Sequence, residues 1–454
     1  LDKDGKLSGE EASALLAQLS GLDLDRIHKL FTDTMAATAA GIPLSSMAPV
    51  DGTQDLGKCD PAEIAAWRTR GLQAIADGEV GVLLLAGGQG TRLGFAKPKG
   101  MYDIGLPSHD TLFHLQGKQI QRLRALAAEV SGKDVAAVRL PWYVMTSPQT
   151  DADTRAAFAD NDFYGCAEAD VVFFSQGTLP CLTTDGKIIM ASGHKVATAP
   201  DGNGGIYHGL LSTGALADME ARGLKYIPQY CVDNACARVA DPTLVGFCIA
   251  NDADVGGKAV AKSSWNEKVG VFCTVDGKFS VVEYSDISEE AAKAATDDGT
   301  LIFSSSHVCI NYYTVAFFRA IMSQLPSVYH VAHKKIPYAG DDGATVAATE
   351  NNGIKLESFI FDVFPLASNP KVLECATRFG EFAPVKNAPG SASDSPDQAR
   401  AMASDQYKAT LRSVGATLAG DGLVSISPLL TYDGDDVAAL GVLSGQTLQT
   451  PCQI

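Results

Sequence analysis

A glycine-rich segment followed by positive side chains contains the residue types that could bind phosphate. The segment LAGGQGTRLG covers residues 85–94, and Lys97 and Lys99 follow it. Glycines let backbone N–H groups turn toward phosphate oxygens because no Cβ stands in the way. Arg92 presents a planar fork to two phosphate oxygens, and the lysines add point charges. We therefore favour a phosphate-binding loop over a turn with only a structural role.

This loop differs from two common nucleotide-binding glycine motifs. A Walker loop ends in Gly-Lys followed by Ser or Thr, and this segment does not. In the dinucleotide fingerprint the third glycine would fall one residue before Gly94. This spacing and the Arg92/Lys99 pair argue against hydride transfer on a nucleotide cofactor, which stays an alternative function class.

The elements around the loop are predicted to form an α/β domain. Val80–Ala86 is an apolar run typical of a strand that is buried on both faces of a parallel sheet. Helical patterns such as Thr111 to Val130 lie between the candidate strands, and this alternation favours a largely parallel sheet. Open sheets of this kind bind ligands at the carboxyl ends of their strands. Further strands are predicted at Trp142–Thr146, Val171–Ser175, Tyr226–Val232, Gly246–Ala250 and Val269–Val275.

The two ends of the chain have other patterns. Residues 10–19 and 24–35 have apolar residues at helical spacing, residues 40–60 are typical of a connector, and Asp60-Pro61 predicts the start of a helix through Ile75. Residues 384–400 form a polar loop before a helix and short strands. We predict a helical N-terminal region at 1–76, a catalytic domain at 77–372 and a small α+β C-terminal domain at 373–454.

Composition excludes some classes of protein. The net charge of −17 disfavours binding to nucleic acid and to anionic membranes. We find no apolar run long enough to span a bilayer and no signal peptide. The ten cysteines include no C-x-x-C pair, so reduced thiols in a cytoplasmic protein are expected rather than a disulfide framework or a zinc site.

Several motifs together resemble one family. LAGGQGTRLG followed by PKGMYDIGLPS is similar to the eukaryotic UDP-N-acetylhexosamine pyrophosphorylases. The resemblance covers most of residues 65–390. Other segments agree with it, namely APDGNGG (199–205), YCVDN (230–234), ADP and GFC (within 240–248), VVEYSDIS (281–288), GIKLESFIFDVF (353–364) and PVKNA (384–388).

The resemblance implies both a fold and a reaction. The fold is a Rossmann-like nucleotidyltransferase domain with a mostly parallel sheet, flanked by two smaller domains. The reaction joins UTP to N-acetylglucosamine 1-phosphate with Mg²⁺ or Mn²⁺ and releases pyrophosphate and UDP-N-acetylglucosamine, or UDP-N-acetylgalactosamine from the other hexosamine. The protein is expected to be a monomer or a homodimer. A UDP-glucose or broad-specificity UDP-sugar pyrophosphorylase is the alternative.

The resemblance also implies roles for single residues. Arg92, Lys99 and Lys386 would act on the phosphates, and Asp233 would face the nucleotide phosphates and the metal. The uracil end would be held by Leu85, Ala86, Gly87, Gly88, Gln176 and Gly202. The sugar phosphate would contact Asn203, Gly270, Glu283, Tyr284, His307, Lys355, Phe359 and Phe361.

Each of these residue types also has a structural alternative. Asp233 could cap a helix, and a lone lysine such as Lys355 or Lys386 is commonly solvated at the surface. Phe359 and Phe361 could be core residues on one strand face, because residues i and i+2 share a side. Glu283 could be an exposed strand residue.

Two segments depart from the family. The family usually has Gly-Asn-Ile where this chain has Ser306, His307 and Val308, so the preference among sugars stays open. Asp2, Asp4, Gly5, Leu7 and Glu11 follow the spacing of the later part of an EF-hand loop. We favour a polar turn before a helix there, with calcium binding as the alternative.

Overall fold

A large mixed sheet is the centre of this computed structural model, which describes residues 7–326, 328–434 and 437–454. Within that part of the chain the sheet has eleven strands. They are β1 (Met47–Ala48), β2 (Gln54–Asp55), β3 (Val82–Leu85), β4 (Trp142–Thr146), β5 (Val171–Ser175), β6 (Tyr226–Cys231), β7 (Val255–Ala261), β8 (Val271–Val275), β9 (Lys278–Val282), β10 (Ser305–Thr314) and β11 (Lys371–Glu374).

The order of the strands confirms the mostly parallel α/β fold. The main path runs β2-β11-β7-β10-β6-β3-β4-β5, and β8 joins β10 together with β1 and β9. The pairs β6–β3, β3–β4 and β4–β5 are parallel. β10 runs antiparallel to both of its main-path neighbours, β7 and β6. The parallel half therefore brings the carboxyl ends of β6, β3, β4 and β5 to one edge.

Both faces of the sheet are covered, as the apolar run in β3 predicts. Val82 and Leu84 point into one core and Leu83 and Leu85 into the other, because side chains alternate along a strand. All four side chains are buried. Burial of each such side chain contributes roughly 1.5–3 kcal/mol, so β3 is held firmly where the glycine loop begins.

The helices pack on the two faces and at the ends of the sheet. Most predicted helices are confirmed within a few residues. As predicted, α3 begins at Pro61 with Asp60 as its N-cap, and the Asp60 side chain accepts a hydrogen bond from the Ala62 N–H at 2.9 Å. The helices are α1 (Gly9–Ser20), α2 (Leu24–Ala40), α3 (Pro61–Ala76), α4 (Leu112–Ser131), α5 (Asp151–Asp160), α6 (Gly205–Ser212), α7 (Ala215–Ala221), α8 (Pro242–Ala250), α9 (Glu289–Lys293), α10 (Val315–Ile321), α11 (Pro396–Ser413) and α12 (Val437–Leu440).

The strand predicted at Gly246–Ala250 is wrong, because these residues end helix α8. Asp241 caps the helix and Pro242 occupies its first turn, the same signal that starts α3. A Cβ on Gly246 would lie 1.7 Å from the Trp67 carbonyl oxygen, so glycine allows α8 to pack closely against α3. A short helix that is buried on all sides has the same apolar run as a buried strand.

Four charged residues form a buried charge cluster, defined here as Arg238, Asp241, Lys258 and Glu381. The Lys258 Nζ lies 2.6 Å from Asp241 Oδ2 and 2.6 Å from Glu381 Oε2, and Arg238 lies 3.0 Å from Glu381 Oε1. The cluster joins β7, the start of α8 and the segment after β11. These ion pairs hold the segment after β11 against the main sheet.

The flanking segments contact the sheet at several points. β1 and β2 lie within the predicted connector at residues 40–60 and pair with β8 and β11. β11 crosses the predicted boundary at residue 372. Short strands pair outside the main sheet, namely Thr178–Pro180 with Thr198–Pro200, Leu182–Thr183 and His330–Lys334 with Gly353–Glu357, Met190–Ser192 with Lys195–Val196, Tyr338–Ala339 with Thr345–Val346, Thr417–Ala419 with Thr447–Gln449, and Val424–Ser425 with Cys452–Gln453.

The N-terminal turn before α1 is capped. Asp2, Asp4 and Gly5 of the EF-hand-like segment lie outside the described residues. Glu11 accepts a hydrogen bond from the Ser8 N–H at 2.8 Å, and Ser8 Oγ accepts one from the Glu11 N–H. This is a capping box, in which the carboxylate satisfies the helix start. Across the residues that the structure describes, no helix combines the length and the apolar character needed to cross a bilayer.

Candidate active site

A cavity of about 680 Å³ opens at the edge where β3, β4, β5 and β6 end. This is the edge at which the sequence predicts ligand binding. Most of the predicted nucleotide residues line it. The lining residues are Leu85, Gly87, Gly88, Gln89, Thr91, Arg92, Lys99, Met145, Ser147, Gln149, Gln176, Thr198, Ala199, Pro200, Gly202, Asn203, Cys231, Val232, Asp233, Lys355, Glu357 and Phe359.

The glycine loop leaves β3 in a shape that needs glycine. A Cβ on Gly87 would lie 2.8 Å from the Gln176 Oε1, and the Gly87 carbonyl accepts a hydrogen bond from Ser147 Oγ at 2.9 Å. A short 3₁₀ turn at Thr91–Leu93 then carries Arg92 to the cavity. Arg92 is exposed and makes no hydrogen bond or ion pair within the part of the chain that the structure describes. Its guanidinium is therefore available to an anion.

Lys99 and Asp233 meet across the cavity. The Lys99 Nζ lies 3.4 Å from Asp233 Oδ2 and donates a hydrogen bond to the Val385 carbonyl at 3.1 Å. The Val385 N–H in turn donates to the Asp233 carbonyl at 2.8 Å. These contacts fix the Lys99 ammonium and bring the segment with Lys386 beside the end of β6.

The opposite wall of the cavity is built around Gln176 and the DGNGG loop. Gln176 is buried and donates from Nε2 to the Gly202 carbonyl at 3.2 Å. Gly202 has a φ of +93°, and a Cβ there would lie 2.1 Å from the Ser358 carbonyl oxygen, so only glycine fits. Asn203 Oδ1 accepts a hydrogen bond from the Ile360 N–H at 2.9 Å, which ties this loop to the turn that carries Phe359.

Lys355, Glu357 and Phe359 come from one short stretch of chain. Lys355 and Glu357 lie on the strand Gly353–Glu357, where residues i and i+2 share a side. Phe359 follows that strand, and its ring stacks on His330 with centroids 4.3 Å apart. Phe361 is buried below Phe359, with ring centroids 5.1 Å apart, and does not line the cavity. The two rings therefore occupy successive layers and not one strand face.

A second group of predicted residues lies beside the cavity. A Cβ on Gly270 would lie 2.9 Å from the Glu283 Oε2, so these two residues are in contact. Burial raises the pKa of Glu283 to about 7, although Lys386 acts in the opposite direction. Tyr284 is 47% exposed. These four residues and Ala86 do not form the wall of the cavity.

His330 links the two groups of residues. Its ring lies 3.3 Å from Asp286 and 3.0 Å from Asp362. Burial alone would lower its pKa, but hydrogen bonds to both carboxylates raise the pKa of His330 to about 9. Asp362 also accepts a hydrogen bond from the Phe359 N–H at 2.7 Å. The imidazolium thus fixes the turn that places Phe359 at the cavity.

His307 is enclosed by aromatic rings and does not reach the cavity. Its ring lies edge-on to Phe272 and Phe361, at centroid distances of 5.1 and 5.5 Å, and its Nε2 lies 3.1 Å from Asn311 Oδ1. Burial lowers the pKa of His307 to about 4, so the ring is neutral at physiological pH. The residue at the departure from the family therefore lies behind Phe361.

The sequence-based prediction did not include several residues of the cavity wall. Ser147 and Gln149 directly follow β4, so the rule that the carboxyl ends of parallel strands meet at one edge predicts them. Glu357 lies two residues after Lys355 on the same strand. Thr198 comes from a short strand pair outside the main sheet, and no local motif indicates its place.

Asp233 is the candidate metal ligand. Among the described residues, no group of three His, Cys, Asp or Glu side chains could hold a metal ion by itself. Mg²⁺ commonly takes one or two carboxylates and fills its other positions with water and substrate phosphates. A single carboxylate in the wall of the cavity, Asp233, fits this kind of site.

The sequence of this chain is similar to those of known proteins along most of its length. The family model for UTP–glucose-1-phosphate uridylyltransferase matches residues 29–409. The chain is 40% identical to UDP-N-acetylhexosamine pyrophosphorylase-like protein 1 of Xenopus tropicalis over 95% of this chain and 89% of that protein. It is 39% identical to UDP-N-acetylglucosamine diphosphorylase 2 of Arabidopsis thaliana over 99% of this chain and 90% of that protein.

A solved structure extends the likeness to the fold. The uridine diphosphate N-acetylglucosamine pyrophosphorylase of Trypanosoma brucei, solved in complex with an inhibitor, superposes with a TM-score of 0.83 at 30% identity. The match covers 97% of this chain and 92% of that one. The fold and the order of its elements are therefore shared along almost the whole chain.

Proposed function

This chain belongs to the UTP–glucose-1-phosphate uridylyltransferase family, among the eukaryotic UDP-N-acetylhexosamine pyrophosphorylases, and we propose that it forms UDP-N-acetylglucosamine and pyrophosphate from UTP and N-acetylglucosamine 1-phosphate. The names of the relatives favour a hexosamine over glucose as the sugar. The observation that carries the proposal is the cavity at the strand ends, where Arg92, Lys99, Lys355 and Asp233 meet. Three cations in one cavity of a protein with a net charge of −17 indicate a polyphosphate ligand.

The proposed reaction is an attack by a phosphate oxygen of the sugar 1-phosphate on the α-phosphorus of UTP, with pyrophosphate leaving. Such transfers depend on in-line placement and on neutralising charge more than on covalent chemistry. Lys99 is held by Asp233 and the Val385 carbonyl, so its charge stays in one place. Arg92 is unpaired and presents two donors to the leaving pyrophosphate.

The nucleotide and the sugar take different walls of the cavity in this proposal. The glycine loop and Gln176 face the uracil end, because backbone N–H and amide groups can read its carbonyl and imide edge. Lys355 contacts the sugar phosphate, and Phe359 packs on the sugar. Lys386 stabilises the α-phosphoryl oxygens from the side of the second group of residues.

We also propose that Mg²⁺ or Mn²⁺ binds at Asp233 together with the substrate phosphates. The metal would supply charge neutralisation at the phosphate oxygens. The Lys99 ammonium next to Asp233 supports this position for the metal, because a cation at Lys99 and a metal at Asp233 would both bind the same triphosphate.

Location and assembly complete the proposal. The ten cysteines lie in described parts of the chain and are free thiols, which supports the cytoplasm as the location. A monomer or a homodimer is the expected assembly, and light scattering during gel filtration would measure it.

The experiment that tests the function compares three substrates in one assay. UTP is supplied with N-acetylglucosamine, N-acetylgalactosamine or glucose 1-phosphate, and the UDP-sugar is quantified by chromatography. We expect the highest kcat/KM with N-acetylglucosamine 1-phosphate. A preference for glucose 1-phosphate would instead make the chain a UDP-glucose pyrophosphorylase, and no product from any sugar would refute the reaction class.

A further inference from the structure

Two cysteine sulfurs nearly touch in the wall of the cavity. The Sγ atoms of Cys231 and Cys309 are 3.0 Å apart, with the thiol of Cys231 donating toward Cys309. Cys231 ends β6 and lines the cavity, and Cys309 lies in β10 and is half-buried. Neither residue has a role in the proposed reaction.

The register of the sheet explains why these two sulfurs meet. Gln229 in β6 pairs with Asn311 in antiparallel β10, and Cys231 and Cys309 each lie two residues beyond this pair, where the regular pairing of the two strands has ended. The register between β7 and β10 shifts beside Cys309, whose φ of 56° lies in the left-handed region. Irregularities of this kind bend a strand and re-aim a side chain. Here the Cys309 side chain is aimed at Cys231.

We propose that Cys231 and Cys309 form a dithiol site that hydrogen peroxide oxidises to a disulfide, and that this disulfide switches the enzyme off. Peroxide is the oxidant class that fits, because it is about as small as water and can enter through the cavity. The two sulfurs are already 3.0 Å apart, so they need to approach by only about 1 Å to reach the disulfide bond length of about 2.05 Å.

The oxidation balances with peroxide as the only added reactant. The Cys231 thiolate attacks one peroxide oxygen, the O–O bond breaks, and the products are a sulfenic acid on Cys231 and hydroxide. The Cys309 sulfur then attacks the Cys231 sulfur, the S–O bond breaks, and hydroxide leaves. The two thiol protons end in two water molecules, while both sulfurs are oxidised and the peroxide is reduced.

The assignment of the two roles follows from their surroundings. Cys231 lines the cavity through which peroxide enters, whereas Cys309 does not. Cys231 therefore meets the peroxide first and makes the first attack. Cys309 resolves the sulfenic acid from 3.0 Å away, so the disulfide forms faster than Cys231 is oxidised further.

The disulfide would disturb the reaction through Asp233. Bond formation brings the sulfurs from 3.0 Å to about 2.05 Å and pulls the end of β6 toward β10. Asp233 follows Cys231 by two residues and contacts Lys99. A displacement of about 1 Å in an active site can cost about 100-fold in rate. This inhibitory part rests on the proposed function, whereas formation of the disulfide does not.

The test treats the full-length reduced protein with a small molar excess of hydrogen peroxide. Digestion without reductant and mass spectrometry are expected to show a peptide that joins Cys231 to Cys309. In the same samples kcat is expected to fall at least 10-fold, given the displacement above, and to recover with dithiothreitol. Cys309→Ser should keep its activity after peroxide. Cys452→Ser is the matched control, since it removes another half-buried cysteine and should be inhibited like the unmodified protein.

Each result decides between distinct conclusions. If peroxide gives no peptide joining Cys231 to Cys309, the dithiol site is refuted whatever the activity. If the peptide forms but kcat is unchanged, the switch is refuted while the site stands. Equal inhibition of Cys309→Ser would show that the loss of activity needs no disulfide between Cys231 and Cys309, which refutes the switch. Should that variant fold poorly, Cys309→Ala and the peptide map of the unmodified protein still decide. A reduced protein without uridylyltransferase activity would refute the proposed function, and the peptide map would be unaffected.

Discussion

The cations of the cavity and the cations of the buried charge cluster differ in how many carboxylate partners they have. Lys258 is 1% exposed and lies 2.6 Å from each of two carboxylates, and that contact with Asp241 and Glu381 raises its pKa despite burial. Arg92 is exposed and has no partner in the described part of the chain. This difference distinguishes cations that stabilise the fold from cations that can bind an anionic ligand.

A buried charge must be neutralised at once, because leaving it unpaired costs several kcal/mol. A cation at the edge of a cavity can stay unpaired, because water solvates it until an anion arrives. Lys99 is intermediate between these cases, since its one carboxylate, Asp233, is 3.4 Å away and itself faces the cavity. Residue type alone does not separate these cases, whereas the number of partners does.

The largest expected effect comes from a substitution in the buried charge cluster. Lys258→Met leaves Asp241 and Glu381 buried with Arg238 as their remaining cation, so unfolding should become easier by about 3–5 kcal/mol. Urea unfolding followed by circular dichroism measures this change. Lys225→Met is the matched control, because it removes an exposed ion pair with Glu79 and should shift the urea midpoint far less. Equal losses in both variants would contradict the distinction.

The second largest effect comes from a substitution of the unpaired cation in the cavity. Arg92→Ala should lower kcat about 10²–10³-fold, because a donor to the developing charge is lost. The free energy of unfolding should change by less than about 0.5 kcal/mol, since Arg92 has no partner to lose. Lys97→Ala removes an exposed cation of the same loop that does not line the cavity, and it should retain near-normal turnover. A normal kcat in Arg92→Ala would make the loop structural.

His330 sharpens the comparison, because it is a half-buried cation with two carboxylate partners. Its pKa of about 9 in the folded protein exceeds the usual value, so its stabilising effect is complete at low pH and is lost as pH rises through 9. We expect a loss of about 3 kcal/mol between about pH 6 and pH 10. Urea midpoints across this range measure it. In His330→Gln the decline should be much shallower, and an unchanged slope would exclude this histidine as its source.

The smallest effect concerns the position that departs from the family. His307 lies behind Phe361 and bonds to Asn311, so His307→Asn should change kcat/KM for each sugar 1-phosphate by less than about five-fold, or about 1 kcal/mol. The substrate panel described above measures this change. A reversal of sugar preference in this variant would show that residue 307 acts on the sugar despite its burial.

Much of the site could be predicted because it follows strand ends. Leu85 to Gly88, Gln176 and Asp233 each lie at the carboxyl end of a strand that the apolar pattern indicates or within two residues of that end, save that Gly88 is three residues beyond it, and parallel strands bring their carboxyl ends together. The same rule predicts Ser147 and Gln149, which the motif-based prediction missed. Helix α8 was mistaken for a strand because a short apolar run has no distinguishing period. Its Asp241-Pro242 start was the available signal.

The remaining arrangement depends on contacts between distant parts of the chain. Lys99 meets Val385 across 286 residues, and Lys258 meets Glu381 across 123. A local sequence pattern cannot predict contacts at such separations along the chain, because these hydrogen bonds and ion pairs form only after the sheet and the C-terminal segment have packed. For the same reason the layered positions of Phe359 and Phe361 could not be predicted from their spacing.

The sequence by itself determined the chemistry that this protein can offer: a glycine loop, a set of cations, a carboxylate after a strand, and a parallel sheet to present them. Tertiary structure decided which lysine is neutralised and which arginine stays free, and it set two cysteine sulfurs 3.0 Å apart on neighbouring strands. The physical reason is that side-chain type and strand period are local properties, whereas burial and pairing of charges depend on which distant segments come to share one space.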